Sequence, residues 1–293
     1  MTPPYGDLVT TVGDRATRFA RAHHQLFLMP NAWDAGSARV LAARPGTVAL
    51  GTSSAAAAAV AGRPDGEAIG REAALAAAAA VIGAAGDVPV TVDLEAGFGS
   101  TPEQVHETVA RALALGAAGV NIEDTDPATG DLRDVGLQTE IVAAAAAAVA
   151  GDSPDAVLNA RTDVFWNPVG EPAERPGLAA ARLARYREAG ATCLFVPGVQ
   201  RTGAELGSVE RLLGEIGRAA DGVPVNVLAS SDLDIDLAAL AALGVRRISF
   251  GSSLYRAALA RALAIVDAVP AGWEALADAD ALPYGRLAAL MAR

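Results

Sequence analysis

The sequence contains no lysine. All 23 of its basic residues are arginine, set against 34 acids, for a net charge of −11. Schiff-base aldolases, pyridoxal-phosphate enzymes and Walker-A nucleotidases each need a lysine, so all three classes are excluded. Cysteine is nearly absent too. The one thiol, Cys193, rules out an internal disulfide and a Cys-rich zinc site. Its place beside Leu194 and Phe195 in an apolar run makes it a buried core thiol. The three histidines, His23, His24 and His106, fall on helical surfaces and none follows a strand, so no Ser-His-Asp arrangement is visible. No stretch reaches the ~18–20 strongly apolar residues of a membrane span. The start lacks a charged-then-apolar signal pattern, and the expectation is a cytoplasmic protein. An acidic chain without a basic patch also argues against a nucleic-acid partner.

The chain is 293 residues long and 52% hydrophobic, and much of that is alanine, with runs at 55–59, 76–80 and 143–148 that favour helix. Short β-rich runs alternate with long Ala/Leu/Arg/Glu stretches. Strands are expected at Leu26–Pro30, Thr47–Gly51, Val88–Leu94, Gly119–Ile122, Ala156–Ala160, Cys193–Val196, Val223–Leu228 and Arg247–Phe250. Helical patterns lie at 34–44, 66–85, 102–116, 136–150, 172–190, 204–220, 234–243 and 252–269. Eight β-then-α units without a Gly/Pro/Ser linker predict one α/β domain over 1–293, a (β/α)8 TIM-type barrel. An N-terminal helical extension (1–25, with Val9, Val12 and Phe19) and a C-terminal helical tail (271–293, with a helix near Leu282–Ala292) flank it.

In such a barrel the chemistry sits at the C-terminal ends of the strands. Polar groups gather there: Asn31 to Asp34, Thr52 to Ser54, Asp93 and Glu95, Glu123 and Asp124, then Arg161 to Asp163. Asp93 and Glu95 are spaced i, i+2, which on a strand places two carboxylates on one face. They repel unless a cation lies between them, and a hard divalent ion suits oxygen ligands. Asp93, Glu95 and Glu123, on neighbouring strand ends, are therefore the candidate metal cluster. Arg161 is placed to grip a substrate carboxylate or to pair with these acids. Ser53 and Ser54 open a helix whose backbone N–H groups suit an anion. Asp65, in Gly62-Arg-Pro-Asp65-Gly66, reads on pattern alone as a turn residue. Gly97-Phe-Gly99 lacks the third glycine of a dinucleotide fingerprint and follows two acids that would repel a pyrophosphate.

These motifs resemble the isocitrate lyase / phosphoenolpyruvate mutase superfamily, and more closely its phosphonomutase-like branch. The resemblance runs from about Phe27 to Leu263. It rests on Pro30-Asn31-Ala-Trp33-Asp34, Thr52-Ser53-Ser54-Ala55, Gly62-Arg-Pro-Asp65-Gly66, Asp93-Leu-Glu95-Ala-Gly97-Phe-Gly99, Ile122-Glu123-Asp124, Ala160-Arg161 and Val225-Asn226-Val227-Leu228 in this order. It implies an enzyme that uses Mg²⁺, with Mn²⁺ as an alternative, to bind a 2-oxo acid and stabilise its enolate. It implies metal ligation by Asp93, Glu95 and Glu123. Substrate binding would fall to Trp33, Ser53, Ser54, Arg161 and Asn226, and Asp65 becomes an acid near metal and substrate rather than a turn residue. Asp65, Arg161 and Glu123 are the expected catalytic residues. It also implies a homo-oligomer, dimer or tetramer, in which a C-terminal helix swaps between subunits. The loop after strand four departs from the family. Lyases there carry Lys-Lys/Arg-Cys-Gly-His, and mutases and phosphonopyruvate hydrolases carry lysine and asparagine. Here it reads Asp124-Thr-Asp-Pro-Ala-Thr-Gly-Asp-Leu-Arg133-Asp134, and Arg133 is its candidate positive charge. The expected function is a lyase on a small 2-oxo or 2-hydroxy dicarboxylate, by C–C cleavage or decarboxylation. The alternatives are P–C chemistry on a phosphonopyruvate-type substrate and a non-catalytic ligand-binding protein.

Overall fold

The computed structural model describes residues 15–167, 169–202, 208–277 and 281–292. Eight strands form one parallel sheet: β1 (Phe27–Met29), β2 (Leu50–Gly51), β3 (Val90–Asp93), β4 (Gly119–Glu123), β5 (Val157–Arg161), β6 (Cys193–Phe195), β7 (Val225–Leu228) and β8 (Val245–Ser249). From β2 to β8 each pairs with its sequence neighbour, and β1 pairs with β8. The ring closes between β1 and β2 through a single bridge, Asn31 to Gly51, where Gly51 N–H donates to Pro30 O at 3.0 Å. This is the expected (β/α)8 barrel.

The helices are α1 (Arg15–Ala22), α2 (Ala35–Ala42), α3 (Ser54–Val60), α4 (Arg71–Ala84), α5 (Pro102–Ala114), α6 (Val135–Asp152), α7 (Arg175–Glu188), α8 (Val209–Ala220), α9 (Leu237–Ala242), α10 (Ser253–Ala268), α11 (Glu274–Ala277) and α12 (Tyr284–Met291). Local chemistry starts them where the strands stop. Asp34 and Ser37 form a capping box on α2, and Thr101 caps α5 ahead of Pro102 at its first turn. The core of the α-layer is built from small residues. Ala145 and Ala148 of α6 are buried, and α5 and α6 pack closely on each other.

α1 seals the N-terminal mouth of the barrel. Its Phe19 is fully buried and lies so close to Gly119 that a Cβ there would meet the ring at 3.0 Å and the Val157 carbonyl at 2.6 Å. Phe19, His23 and Phe27 stack edge to face around this plug. His23 is therefore buried in the turn after α1, not on a helical surface as its context suggested. Burial, reinforced by the Arg247 charge, pushes its pKa down to about 3.

The structure revises other boundaries. The helix expected over 66–85 begins only at Arg71, and a separate helix, α3, follows β2. Pro64 and Gly62, Gly66 and Gly70, all three glycines at positive φ, break the chain between them into a loop that carries Asp65 and Glu67. β8 starts two residues earlier than expected, at Val245. The C-terminal tail has two helices rather than one, and α12 packs on α2, with Leu290 buried. Val9 and Val12 lie outside the described residues.

Candidate active site

The strand register sets the chemistry at the C-terminal end of the barrel. Asp93 of β3 is level with Asn121 of β4, and Asn121 is level with Asn159 of β5. Their side chains form a cross-strand ladder. Asn159 Nδ2 donates to Asn121 Oδ1 at 2.8 Å, and Asn121 Nδ2 donates to Asp93 Oδ1 at 3.0 Å. Ser54 N–H, in the first turn of α3, donates to the other Asp93 oxygen at 3.0 Å. Asp93 is thus fixed on both oxygens, and the Ser54 N–H expected to face an anionic ligand is engaged by this carboxylate. Ser53 instead caps α3 by accepting from Ala56 N–H.

One step further along β4 and β5, Glu123 is level with Arg161. Arg161 Nη1 meets Glu123 Oε2 at 2.8 Å, and its Nε donates to Asp163 Oδ1 at 2.6 Å. Burial would lower the guanidinium's proton affinity, but Asp163, Glu123 and Asp93 outweigh it and raise it. The Glu123 carboxyl is raised well above its ordinary range, first by burial and then by Asp163, Asp93 and Glu95, with Arg161 opposing. Arg161 is therefore paired with nearby acids while still lining the pocket, with Phe195 beneath its guanidinium at 5.5 Å. Asp163 is held in turn by Thr125 Oγ1 at 2.8 Å.

Glu95 departs from the strand geometry assumed for it. β3 ends at Asp93, and Glu95 lies beyond it in the left-handed region at φ 52°. Strand alternation therefore does not set the two carboxylates side by side. A turn brings them together: Glu95 N–H donates to Asp93 Oδ1 at 3.4 Å. Glu95 is buried and accepts from Glu67 N–H at 2.5 Å. Burial first, then the charges of Asp93, Asp65 and Glu67, push its pKa up to about 8. Glu67, which sequence reasoning missed, bonds back to Phe98 N–H at 2.6 Å and so clamps the 61–70 loop onto the turn after β3. Asp65, on this loop, is exposed overall, but its carboxyl lines the pocket next to Ser54. Partial burial and then Asp93 raise its proton affinity, and the Ser54 hydrogen bond opposes them.

Arg133 lines neither cavity of the site. It is buried, and its guanidinium donates to the carbonyls of Ala96 at 2.8 Å and Gly99 at 2.9 Å. It splints the turn that holds Glu95. Behind it, the fully buried Asp124 accepts from Thr162, Tyr186 and Arg182, and Arg182 also donates to the Arg133 carbonyl at 2.8 Å. The loop after β4 folds back on itself through a Thr125–Leu132 bridge.

A cavity of about 120 Å³ opens at this end of the barrel. Ser53, Ser54, Asp65, Asp93, Arg161 and Asn226 all line it. Trp33 and Glu95 line a smaller adjoining cavity, where Trp33 packs on Tyr255 at 5.6 Å between ring centres. Glu123 lines neither and reaches the site through Arg161. Among the described residues, no three His, Cys, Asp or Glu side chains converge into a ready-made metal cage. Four further polar residues of the site, Asn31, Asn121, Asn159 and Asp163, had one signal in the sequence: a polar side chain inside or just after an apolar strand. Asn31 latches the ring where β1, β2 and β8 meet, donating to Thr52 O and accepting from Phe250 and Gly251 N–H.

The family model described as phosphoenolpyruvate phosphomutase matches residues 19–269. An uncharacterized protein of Mycobacterium tuberculosis is 34% identical over 273 residues, which is 92% of this chain and 95% of that one. Among solved structures, a phosphonomutase candidate from Burkholderia cenocepacia J2315 is 38% identical with a TM-score of 0.77, covering 87% of this chain and 100% of that one. A lyase/mutase candidate from the same organism is 33% identical with a TM-score of 0.82, covering 96% and 98%. The fold recurs in phosphonopyruvate hydrolase in complex with oxalate and Mg²⁺, at a TM-score of 0.79 and 21% identity over 96% of this chain and 95% of that one.

Proposed function

The chain belongs to the phosphoenolpyruvate phosphomutase family, and on that premise we propose that it is a magnesium-dependent lyase for a small 2-oxo or 2-hydroxy dicarboxylate. The observation that carries this reading is the group of carboxylates at one barrel end: Asp93 lines the pocket with Arg161, Glu95 lines the adjoining cavity with Asp93, and Glu123 pairs with Arg161. The donor set fits a hard cation. It is all oxygen, it is crowded with like charge, and Glu95 holds its proton up to about 8. Mg²⁺ keeps several waters and binds through one or two carboxylates, so it needs no preformed cage. Bound by Asp93, Glu95 and Glu123, Mg²⁺ or Mn²⁺ would supply the positive charge that holds a 2-oxo acid and its developing enolate.

The chain's own residues supply the rest. Arg161 binds a substrate carboxylate, exchanging part of its grip on Glu123 for the incoming anion. Asn121 and Ser54 hold Asp93 in one orientation. Asp65, at the pocket edge with a raised proton affinity, is placed to hold the proton that the product carbon takes up. The loop after β4 offers no cysteine, lysine or histidine, and its arginine is buried elsewhere. That favours decarboxylation, because CO₂ leaves without a proton donor. Retro-aldol cleavage needs a base on the substrate hydroxyl.

A second reading, P–C chemistry on a phosphonopyruvate-type substrate, is favoured by the family's description and by the phosphonomutase candidate. Release of pyruvate, coupled to lactate dehydrogenase and NADH, separates the two, and pyruvate kinase with ADP, added after the reaction is stopped, reports the phosphoenolpyruvate that a mutase would form instead. Oxaloacetate, methylisocitrate, dimethylmalate and phosphonopyruvate are offered singly with Mg²⁺, against EDTA, Asp93→Ala and no-enzyme controls. An EDTA-sensitive signal from a dicarboxylate supports the lyase, and one from phosphonopyruvate alone supports the rival. Silence across the panel, with Mg²⁺ bound normally, supports a non-catalytic ligand-binding role.

The same reading makes the protein a homo-oligomer. α10 buries none of its residues within the chain, and Leu259, Leu263 and Val266 along it are 48, 65 and 67% exposed. Sedimentation of the purified protein tests this. Among the described residues no helix is long and apolar enough to cross a membrane.

A further inference from the structure

Arg247 is an arginine the catalytic reading leaves unused. It sits on β8, lines the same cavity as Arg161 and Asp93, and is only 1% exposed. No carboxylate pairs with it among the described residues, and its Nε and Nη1 have no hydrogen-bond partner there. An unpaired charge withdrawn from water is costly, and arginine does not shed its proton to escape. Burial lowers its proton affinity, and the Cys193 thiol is the neighbour that opposes this. The guanidinium stands 5.9 Å from the Phe19 ring of the plug, so it forms the floor of the cavity. Its surroundings are polar and equally unsatisfied. Asn226 is its register partner across β7 and β8 and has a buried, unpaired Oδ1. The buried Thr91 hydroxyl has no partner either, and it also lines the cavity. Asn226 donates to Ser249 Oγ at 3.2 Å. A half-turn of that amide, with the serine hydroxyl donating instead, keeps the bond and turns the Asn226 NH₂ to the cavity. Arg247 Nε and Nη1, the Asn226 amide and the Thr91 hydroxyl are then four donors on the buried lining of one cavity.

We propose that Arg247, with Asn226 and Thr91, forms a second anion subsite at the floor of the pocket, which takes the distal acidic group of a two-headed anionic substrate. The proposal rests on reading this cavity as the substrate site, and it gives that site a selectivity. Arg161 is already shared between Glu123 and Asp163, so Arg247 is the pocket cation with capacity to spare. A monocarboxylate fills one subsite and leaves the floor charge unpaired. A dicarboxylate, or a carboxylate joined to a phosphonate, satisfies both.

The test is ligand binding by calorimetry in chloride-free buffer with EDTA, which removes any metal contribution and needs no turnover. Acetate, malonate and succinate are titrated into the wild-type protein, Arg247→Met and Arg247→Lys. The expected result is that at least one dicarboxylate binds about tenfold or more tighter than acetate. Arg247→Met abolishes the difference, and Arg247→Lys keeps part of it. Equal binding of all three acids, unchanged in the variants, overturns the proposal. A wild-type crystal soaked in bromide gives the second readout and stands even if Arg247→Met fails to fold. An anomalous peak at Arg247 that succinate displaces supports the substrate subsite. A peak that succinate leaves in place marks a site for free inorganic anions, and no peak marks a hydrated arginine; either overturns it. Failure to find a turned-over substrate leaves these binding results intact, so the two readings fail separately.

Discussion

Glu95 makes the stability of the metal-free protein depend on pH in an unusual direction. Its pKa rises from 4.5 to about 8 in the fold, because burial and the neighbouring acids Asp93, Asp65 and Glu67 disfavour the charge. The folded carboxyl therefore keeps its proton where the unfolded one has lost it. Across that window the native state binds more protons, so the slope of unfolding free energy with pH is negative. Stability is highest below the unfolded pKa and is lost as pH rises towards the folded one. At about 1.4 kcal/mol per unit, a shift from 4.5 to 8 is worth about 5 kcal/mol in full, of which about 2.5 kcal/mol falls between pH 5 and 7. Asp65, Glu67, Glu123 and Asp124 are raised too and push the same way. The Glu95 share is isolated by Glu95→Gln, which removes the charge and keeps an oxygen to accept from Glu67 N–H. Urea denaturation in EDTA at a series of pH values is the assay. The gap between the variant and the wild type widens with pH by about 2 to 3 kcal/mol between pH 5 and 7, in favour of the variant. Added Mg²⁺ narrows it by stabilising the wild type. Parallel stability curves for the two proteins would refute the placement of Glu95 among these charges.

Further predictions concern the supports of the site. Arg161→Ala leaves Glu123 and Asp163 without their cation, and loss of one partner of a buried pair costs about 3–5 kcal/mol; denaturation measures it, and a near-neutral variant contradicts the pairing. Arg133→Met strands the carbonyls of Ala96 and Gly99 and destabilises by about 2–4 kcal/mol. It also weakens Mg²⁺ binding, read by titration, because the Glu95 turn loses its splint. Tyr186→Phe removes one hydrogen bond to the buried Asp124 and costs about 1–2 kcal/mol by the same denaturation assay.

The barrel was legible because its code is repetitive. Eight apolar runs alternate with amphipathic or alanine-rich helices, and polar residues follow each of the first five strands. The site residues at strand ends, Asp93, Arg161 and Ser54, could be placed from that pattern. What failed was local geometry. The i, i+2 rule holds only inside a strand, and Glu95 is past the last strand residue, where Gly97 and the left-handed turn set the direction. The partners of Arg133 were hidden because they are main-chain carbonyls, which carry no sequence signal. Glu67 was missed because the helix expected from 66 onwards concealed the loop that carries it. Arg247 was read as the start of a strand, and only the closed ring shows that its side chain is trapped inside with nothing opposite in charge.

Asp93, Glu95 and Glu123 are proposed to hold one divalent cation at the C-terminal end of the barrel. Titration of the metal-free protein with Mn²⁺, followed by calorimetry at pH 6, 7 and 8, tests it most directly. The expected result is one ion per chain, an affinity that rises with pH as Glu95 gives up its proton near 8, and loss of binding in Asp93→Ala. No saturable binding, or binding that survives the Asp93→Ala change unaltered, would contradict it.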